Sequence, residues 1–134
     1  MADTIQLEIV TPDRMIVSDR AEEIQIPGKS GYLGILPGHA PLITEIAVGE
    51  ITYRKGSETK HIAVAWGFAE VLPEKVTILA ETAERAADID VARAQEAMQR
   101  AESRLKQGGA DLDYAREEDA LKRAQTRIDV AAKK

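Results

Sequence analysis

The tail DIDVARAQEAMQRAESRLKQGGADLDYAREEDALKRAQTRIDVAAKK, Asp88 to Lys134, decides how the chain is read. It has no proline, its only glycines are Gly108 and Gly109, and its only aromatic residue is Tyr114. All five prolines (Pro12, Pro27, Pro37, Pro41 and Pro73) and seven of the nine glycines precede it. Ala94, Ala97, Met98, Ala101 and Leu105 recur at the three- and four-residue steps that line one face of an α-helix. Leu121, Ala124, Ile128 and Ala131 form a second such stripe. Asp88 or Asp90 can cap the first helix. Gly108-Gly109 stops it, with Lys106 placed favourably in its last turn. Asp111 or Asp113 restarts the helical pattern, and Lys133-Lys134 close it. The tail is therefore expected to be an antiparallel helical hairpin.

Working back from it, residues 4–86 read as short strands. Ile5, Leu7 and Ile9 alternate with polar residues, the period of a half-buried strand, until Thr11-Pro12-Asp13 ends the run. Ile24 and Ile26 alternate before Pro27-Gly28. Ile51–Arg54 and His61–Trp66 flank Lys55-Gly56-Ser57, and Glu70–Leu72 and Val76–Ala80 flank Pro73-Glu74-Lys75; both read as hairpins. No βαβ pattern occurs. The expected fold is α+β: an N-terminal antiparallel β-sandwich or flattened barrel over residues 1–87, then the hairpin over 88–134.

Both helical stripes are rich in alanine. At roughly 25 cal/mol per Å² of apolar surface, alanine gains little from burial. A 47-residue hairpin is too small for a core of its own. Weak docking on the sandwich is expected, the condition for a two-state switch.

Charge narrows the function. Through residue 87 there are 8 basic and 13 acidic residues; beyond it there are 10 of each. That balance disfavours general nucleic-acid binding. There is no cysteine, so disulfides and thiolate metal sites are excluded. No apolar run approaches the ~20 residues of a membrane span, and Met1–Thr4 leads straight into a strand pattern rather than a targeting segment. A bacterial-type cytoplasmic protein is expected.

The glycine-rich segment Gly28–Leu42 lacks the GxxxxGK pattern of a phosphate loop, and Pro37 and Pro41 block the helix such a loop needs. It reads as turns, with glycines at positive φ, that can serve as a docking surface. His39 and His61 have no metal-ligand spacing. No serine sits in a nucleophile elbow. Neither a metal site nor catalysis by this chain alone is expected.

Six arginines remain. Arg93, Arg100 and Arg104 sit at offsets 0, 7 and 11, and so do Arg116, Arg123 and Arg127. Glu96 and Arg100, and Asp119 and Arg123, are spaced for helical ion pairs. Arg93 can pair with Asp90 or Glu96, and Arg116 with Asp113 or Asp119. Arg104 and Arg127 have no acid one turn away. They are either solvated or reserved for an external anion.

Three motifs in order carry a family resemblance. Gly31-Tyr32-Leu33-Gly34-Ile35-Leu36-Pro37-Gly38-His39-Ala40-Pro41-Leu42 resembles the GxLGxxPGHAPL signature of the epsilon subunits of F-type rotary ATP synthases. Gly67-x-x-Glu70-Val71 with Val76–Leu79 follows, then Ile89-Asp90-Val91-Ala92-Arg93-Ala94. The resemblance spans essentially the whole chain. It implies a non-catalytic rotor subunit of the central stalk, coupling proton transport to ATP synthesis. The partners it implies are the gamma subunit, the c-ring, and the catalytic alpha/beta head. Membrane association would be only through the complex, on the cytoplasmic face of the bacterial inner membrane. Gly31, Tyr32 and His39 are the implied c-ring and gamma contacts; some family members carry Glu where this chain has Tyr32.

The resemblance also implies a hairpin that switches between a compact form and an extended one that blocks ATP hydrolysis. No catalytic cofactor is implied. ATP is the implied regulatory ligand of the compact form, at Glu84, Ile89, Asp90, Arg93, Ala94, Arg100, Arg123 and Arg127. Arg104 and Arg116 are left for contacts to the head in the extended state. The alternative is a purely structural coupling subunit without nucleotide sensing.

Overall fold

In the computed structural model, which describes residues 3–133, alternation sorts side chains as predicted. In strand β1 (Ile5–Val10), Ile5, Leu7 and Ile9 are fully buried and the residues between them are not. Seven more strands follow: β2 (Met15–Ala21), β3 (Glu23–Gly28), β4 (Gly31–Ile35), β5 (Leu42–Ile46), β6 (Gly49–Lys55), β7 (Glu58–Val71) and β8 (Lys75–Arg85). A 3-10 turn at Ala86–Asp88 leads into helices α1 (Val91–Gln107) and α2 (Tyr114–Ala131).

The strands form a β-sandwich because one strand belongs to both layers. The first half of β7 pairs with β6 and its second half with β5, while β8 runs antiparallel along its other side. The register with β8 continues from Ala65↔Thr82 to Gly67↔Ala80, and only the Trp66–Glu81 position between them is unpaired. There the strand turns a corner: Trp66 has φ 52° and Gly67 has φ 139°. A Cβ at Gly67 would lie 1.9 Å from the Leu79 carbonyl oxygen, so only glycine fits. Between the layers lies a core of aliphatic side chains, among them Ile9, Ile24, Ile35, Ile51, Ile62 and Ile78. Its one aromatic member is Tyr53, whose hydroxyl donates to Asp19 Oδ2 at 3.0 Å. Burial and that carboxylate push the Tyr53 phenol up to about 12.

Two departures from the sequence reading have physical causes. β1 pairs parallel with β8, Gln6↔Lys75 through Val10↔Leu79. A parallel pair needs a long crossover, and here β2–β7 supply it, so local patterning gives no sign of it. Gly28–Leu42, read as turns, contains β4 and its pairing with β3. Glycines and the exposed Tyr32 mask the alternation there.

The hairpin follows its caps. Of the paired possibilities, Asp90 and Asp113 are the N-caps, accepting from the N–H groups of Arg93 and Arg116 at 3.1 Å each. Gly108, at φ 62°, ends α1 and donates to the Arg104 carbonyl at 3.0 Å. Ala94, Ala101 and Ala124 are buried on the predicted stripes. The hairpin meets the body through small residues: Val130 and Ala131 of α2 pack on Ala63, Ala86 and Ile89.

Gly67→Ala should lower stability by ~3 kcal/mol or more, because it combines a strained φ with a backbone clash. Gly34→Ala, with nothing within 4 Å of a new Cβ, should stay within about 0.5 kcal/mol. Urea denaturation of both variants compares them directly.

Candidate functional site

Asp90 locks the first turn of α1, and the helical period then places Arg93, Ala94, Ala97 and Arg100 along one side of it. That side faces the end of β8 and the turn between β1 and β2. Between them is a cleft of about 540 Å³. Glu84, Asp90, Arg93, Ala94, Arg100 and Arg127, six of the eight residues named from sequence as nucleotide ligands, line it. They come from β8, both helices and the connection between sandwich and hairpin.

The other two lie elsewhere. Ile89 is buried in the apolar cluster beneath the end of α2. The Arg123 guanidinium sits 4.9 Å from the centroid of the Trp66 ring, a cation–π contact made possible by the corner in β7. Arg123 also borders a groove between the helices with Arg100, Arg104 and Arg116.

The ion pairs differ from those expected on spacing. Arg127, without an acid one turn away on its own helix, donates from Nε to Glu84 Oε1 at 2.7 Å. Arg104, which also has no acid one turn away, pairs with Glu117 of α2 at 3.3 Å. Glu117 is the one buried charged residue among the described residues. Neither Glu96–Arg100 nor Asp119–Arg123 comes within ion-pair distance, and neither Arg93 nor Arg116 forms a side-chain ion pair among the described residues. Exposed pairs one turn apart contribute only a few tenths of a kcal/mol. A carboxylate losing its water needs a partner more strongly, so tertiary contacts decide. Arg104, its side chain 58% exposed, and Arg127 are thus not unpaired: each closes a contact to an acid distant in sequence.

Three guanidiniums border the cleft, Arg14, Arg93 and Arg100, that have no acid within ion-pair distance among the described residues. Arg14 was not singled out from sequence. Thr11-Pro12-Asp13 signalled only the end of a strand, and a turn carries no information about which distant helix it will face.

A second cavity of about 370 Å³ lies beside Tyr53, His61 and Lys133. Its charges are already engaged. Glu50 receives Lys133 Nζ at 2.7 Å and has His61 Nδ1 at 2.5 Å from its other oxygen. Glu50 holds the Lys133 ammonium above the usual lysine range. Burial opposes ionisation of Asp19, but Lys55, the Arg20 amide and Tyr53 together keep its carboxyl low. Arg85 donates to the Ile16 carbonyl. Little remains there to recognise a ligand.

The contact residues named from sequence are also placed. Gly31 (φ 133°) and Gly38 (φ 86°) bound the turn-rich segment, and Gly38 is braced by the Pro73 carbonyl at 2.8 Å. Tyr32 is exposed, with its hydroxyl accepting from the Glu50 N–H at 3.1 Å. His39 Nδ1 lies 2.7 Å from the Ala40 carbonyl. The sequence reading missed an apolar patch on the outer sheet face: Ile43, Phe68 and Leu79 are 73%, 53% and 56% exposed. Phe68 and Leu79 stand opposite each other in the ladder, and Ile43 stands opposite Glu70, two residues along from Phe68. A patch of this kind on an otherwise polar surface marks an interaction face. Among the described residues there is no cluster of metal-ligating side chains and no helix long and apolar enough to cross a membrane.

Comparison with known proteins agrees with this architecture. The family described as ATP synthase, Delta/Epsilon chain, beta-sandwich domain matches residues 4–86, and the ATP synthase, Delta/Epsilon chain, long alpha-helix domain matches residues 87–132. The ATP synthase epsilon chain of Koribacter versatilis is 70% identical over 109 residues, covering 81% of this chain and 77% of that one. The ATP synthase epsilon chain 2 of Syntrophotalea carbinolica is 49% identical over 107 residues, covering 80% and 78%. In fold, a chain of the Euglena gracilis mitochondrial ATP synthase superposes with a TM-score of 0.82 at 22% identity, covering 98% of this chain and 83% of that one.

Arg127→Ala and Glu84→Gln should each loosen the hairpin by about 0.5–1 kcal/mol, the range for a half-exposed pair. The double variant should lose no more than the larger single loss, because both remove one contact. Amide exchange along α2 measures it; additive losses would show that the pair does not couple the two parts.

Proposed function

The chain belongs to the ATP synthase delta/epsilon chain family, and from that premise we propose a non-catalytic central-stalk subunit whose hairpin ATP retains in the compact form. The observation that carries the nucleotide part is the cleft. It gathers six of the eight ligand candidates from β8, both helices and the connection between them, and two of them, Arg93 and Arg100, have no acidic partner among the described residues. Phosphate oxygens suit such guanidiniums. Arg127 is shared: phosphates must draw it from Glu84, so binding exchanges one partner for another.

The energetics fit a switch. The hairpin is attached by alanines and valine, the Arg127–Glu84 pair, the Trp66–Arg123 contact and the Lys133–Glu50 pair. A ligand specific to the compact form stabilises it by about 2.7 kcal/mol at a hundredfold excess over Kd. That is comparable to what such contacts contribute. The extended form, which would inhibit ATP hydrolysis, frees Arg104 from Glu117 and presents Arg104 and Arg116 to the alpha/beta head.

The remaining partners follow from the exposed surface. The patch of Ile43, Phe68 and Leu79 suits the gamma subunit, and the Gly31–His39 segment with Tyr32 suits the c-ring. In this reading the chain lies peripherally on the cytoplasmic face of the bacterial membrane, held there by the complex, and couples proton transport to ATP synthesis. A second reading, structural coupling without nucleotide sensing, is favoured by one fact: Arg104 and Arg127 already have acidic partners.

Titration of the full chain with ATP separates the two. Heat of binding below millimolar ATP, with slowed hairpin amide exchange, supports sensing; no binding leaves only the structural reading. Removing residues 88–134 from the assembled enzyme should raise ATP hydrolysis. Unchanged hydrolysis with intact assembly would end the inhibitory assignment.

A further inference from the structure

We propose that Arg14, on the turn between β1 and β2, is a phosphate-contacting residue of the cleft, gripping the nucleotide from the sandwich while the helices grip it from the other side. This rests on the nucleotide reading above and adds a residue that the family resemblance does not supply.

The turn is built to present this side chain. The Arg14 carbonyl accepts from the Thr11 N–H at 3.0 Å, and the Arg14 N–H donates to Thr11 Oγ1 at 3.4 Å. Both backbone groups of Arg14 are therefore held by one residue, and Pro12 stiffens the turn between them. The side chain leaves from a defined point and borders the same cleft as Arg93, Arg100 and Arg127. Among the described residues no acid lies within ion-pair distance of its guanidinium, which suits it to an outside acceptor.

Charge balance shows what Arg14 changes. The carboxylates bordering the cleft are Asp13, Glu81, Glu84 and Asp90. Against them stand three arginines from the helices, and Arg14 makes the fourth. With it the cleft is neutral; without it the cleft is net negative and repels a polyphosphate. Arg14 is also the only basic residue that the sandwich contributes to the lining. A ligand gripped by both helices already favours the folded hairpin; one that also touches the sandwich favours its docked position. Contact with Arg14 exists only while the hairpin is folded back, so it turns binding into retention.

The experiment titrates ATP into the full chain and into Arg14→Ala and Arg14→Lys. Hairpin amide exchange is followed with and without ATP. Arg14→Ala should weaken binding by about tenfold or more and Arg14→Lys by only about threefold, as for a charge-assisted phosphate contact. Hairpin exchange without ATP should be the same in all three proteins. Binding by Arg14→Ala within about twofold of the parent, less than a charged hydrogen bond contributes, overturns this inference and leaves the nucleotide reading standing. Faster hairpin exchange in ligand-free Arg14→Ala would make the residue structural and also overturns it. No binding by the unmodified chain overturns both.

Discussion

The corner in β7 at Trp66-Gly67 is the constraint on which the rest depends. Because the strand turns there while keeping its register with β8, one strand pairs with β6 in one layer and β5 in the other. The sandwich closes around its aliphatic core through that shared strand. The same turn puts Trp66 at positive φ, beneath Arg123 of α2. A single backbone irregularity thus serves both the body and the seat of the hairpin. The close approach of the Leu79 carbonyl explains why a glycine follows the tryptophan.

The hairpin is seated by small contributions rather than by a core. Alanines allow close approach, and they bury little apolar area each. The polar contacts are correspondingly prominent: Arg127 to Glu84, Lys133 to Glu50, and within the hairpin Arg104 to Glu117. None is deeply buried on both sides. The attachment thus rests on a few shallow contacts rather than on a shared core. The cleft lies at the seam between β8 and the two helices.

Much of this was readable along the chain. The alternation of Ile5, Leu7 and Ile9 announced β1. The apolar stripes, the glycine pair and two of the four candidate caps placed the helices. Of the eight residues that the family resemblance named, six line one cleft. The partners of Arg104 and Arg127 were not readable, because Glu117 and Glu84 lie 13 and 43 residues away. Arg14 was hidden for the same reason, and Ile43, Phe68 and Leu79 looked like ordinary strand residues.

The sequence by itself determined the local conformations: which segments are strands, which are helices and where the helices start and stop. Side-chain periodicity, caps and glycines act over a few residues, so a linear reading captures them. Only the tertiary structure decided which charges meet, that β1 runs parallel to β8, and which apolar strand residues remain on the outside. Those outcomes depend on contacts across long loops and on which groups lose their water. Both are properties of the packed molecule, not of any neighbourhood in the chain.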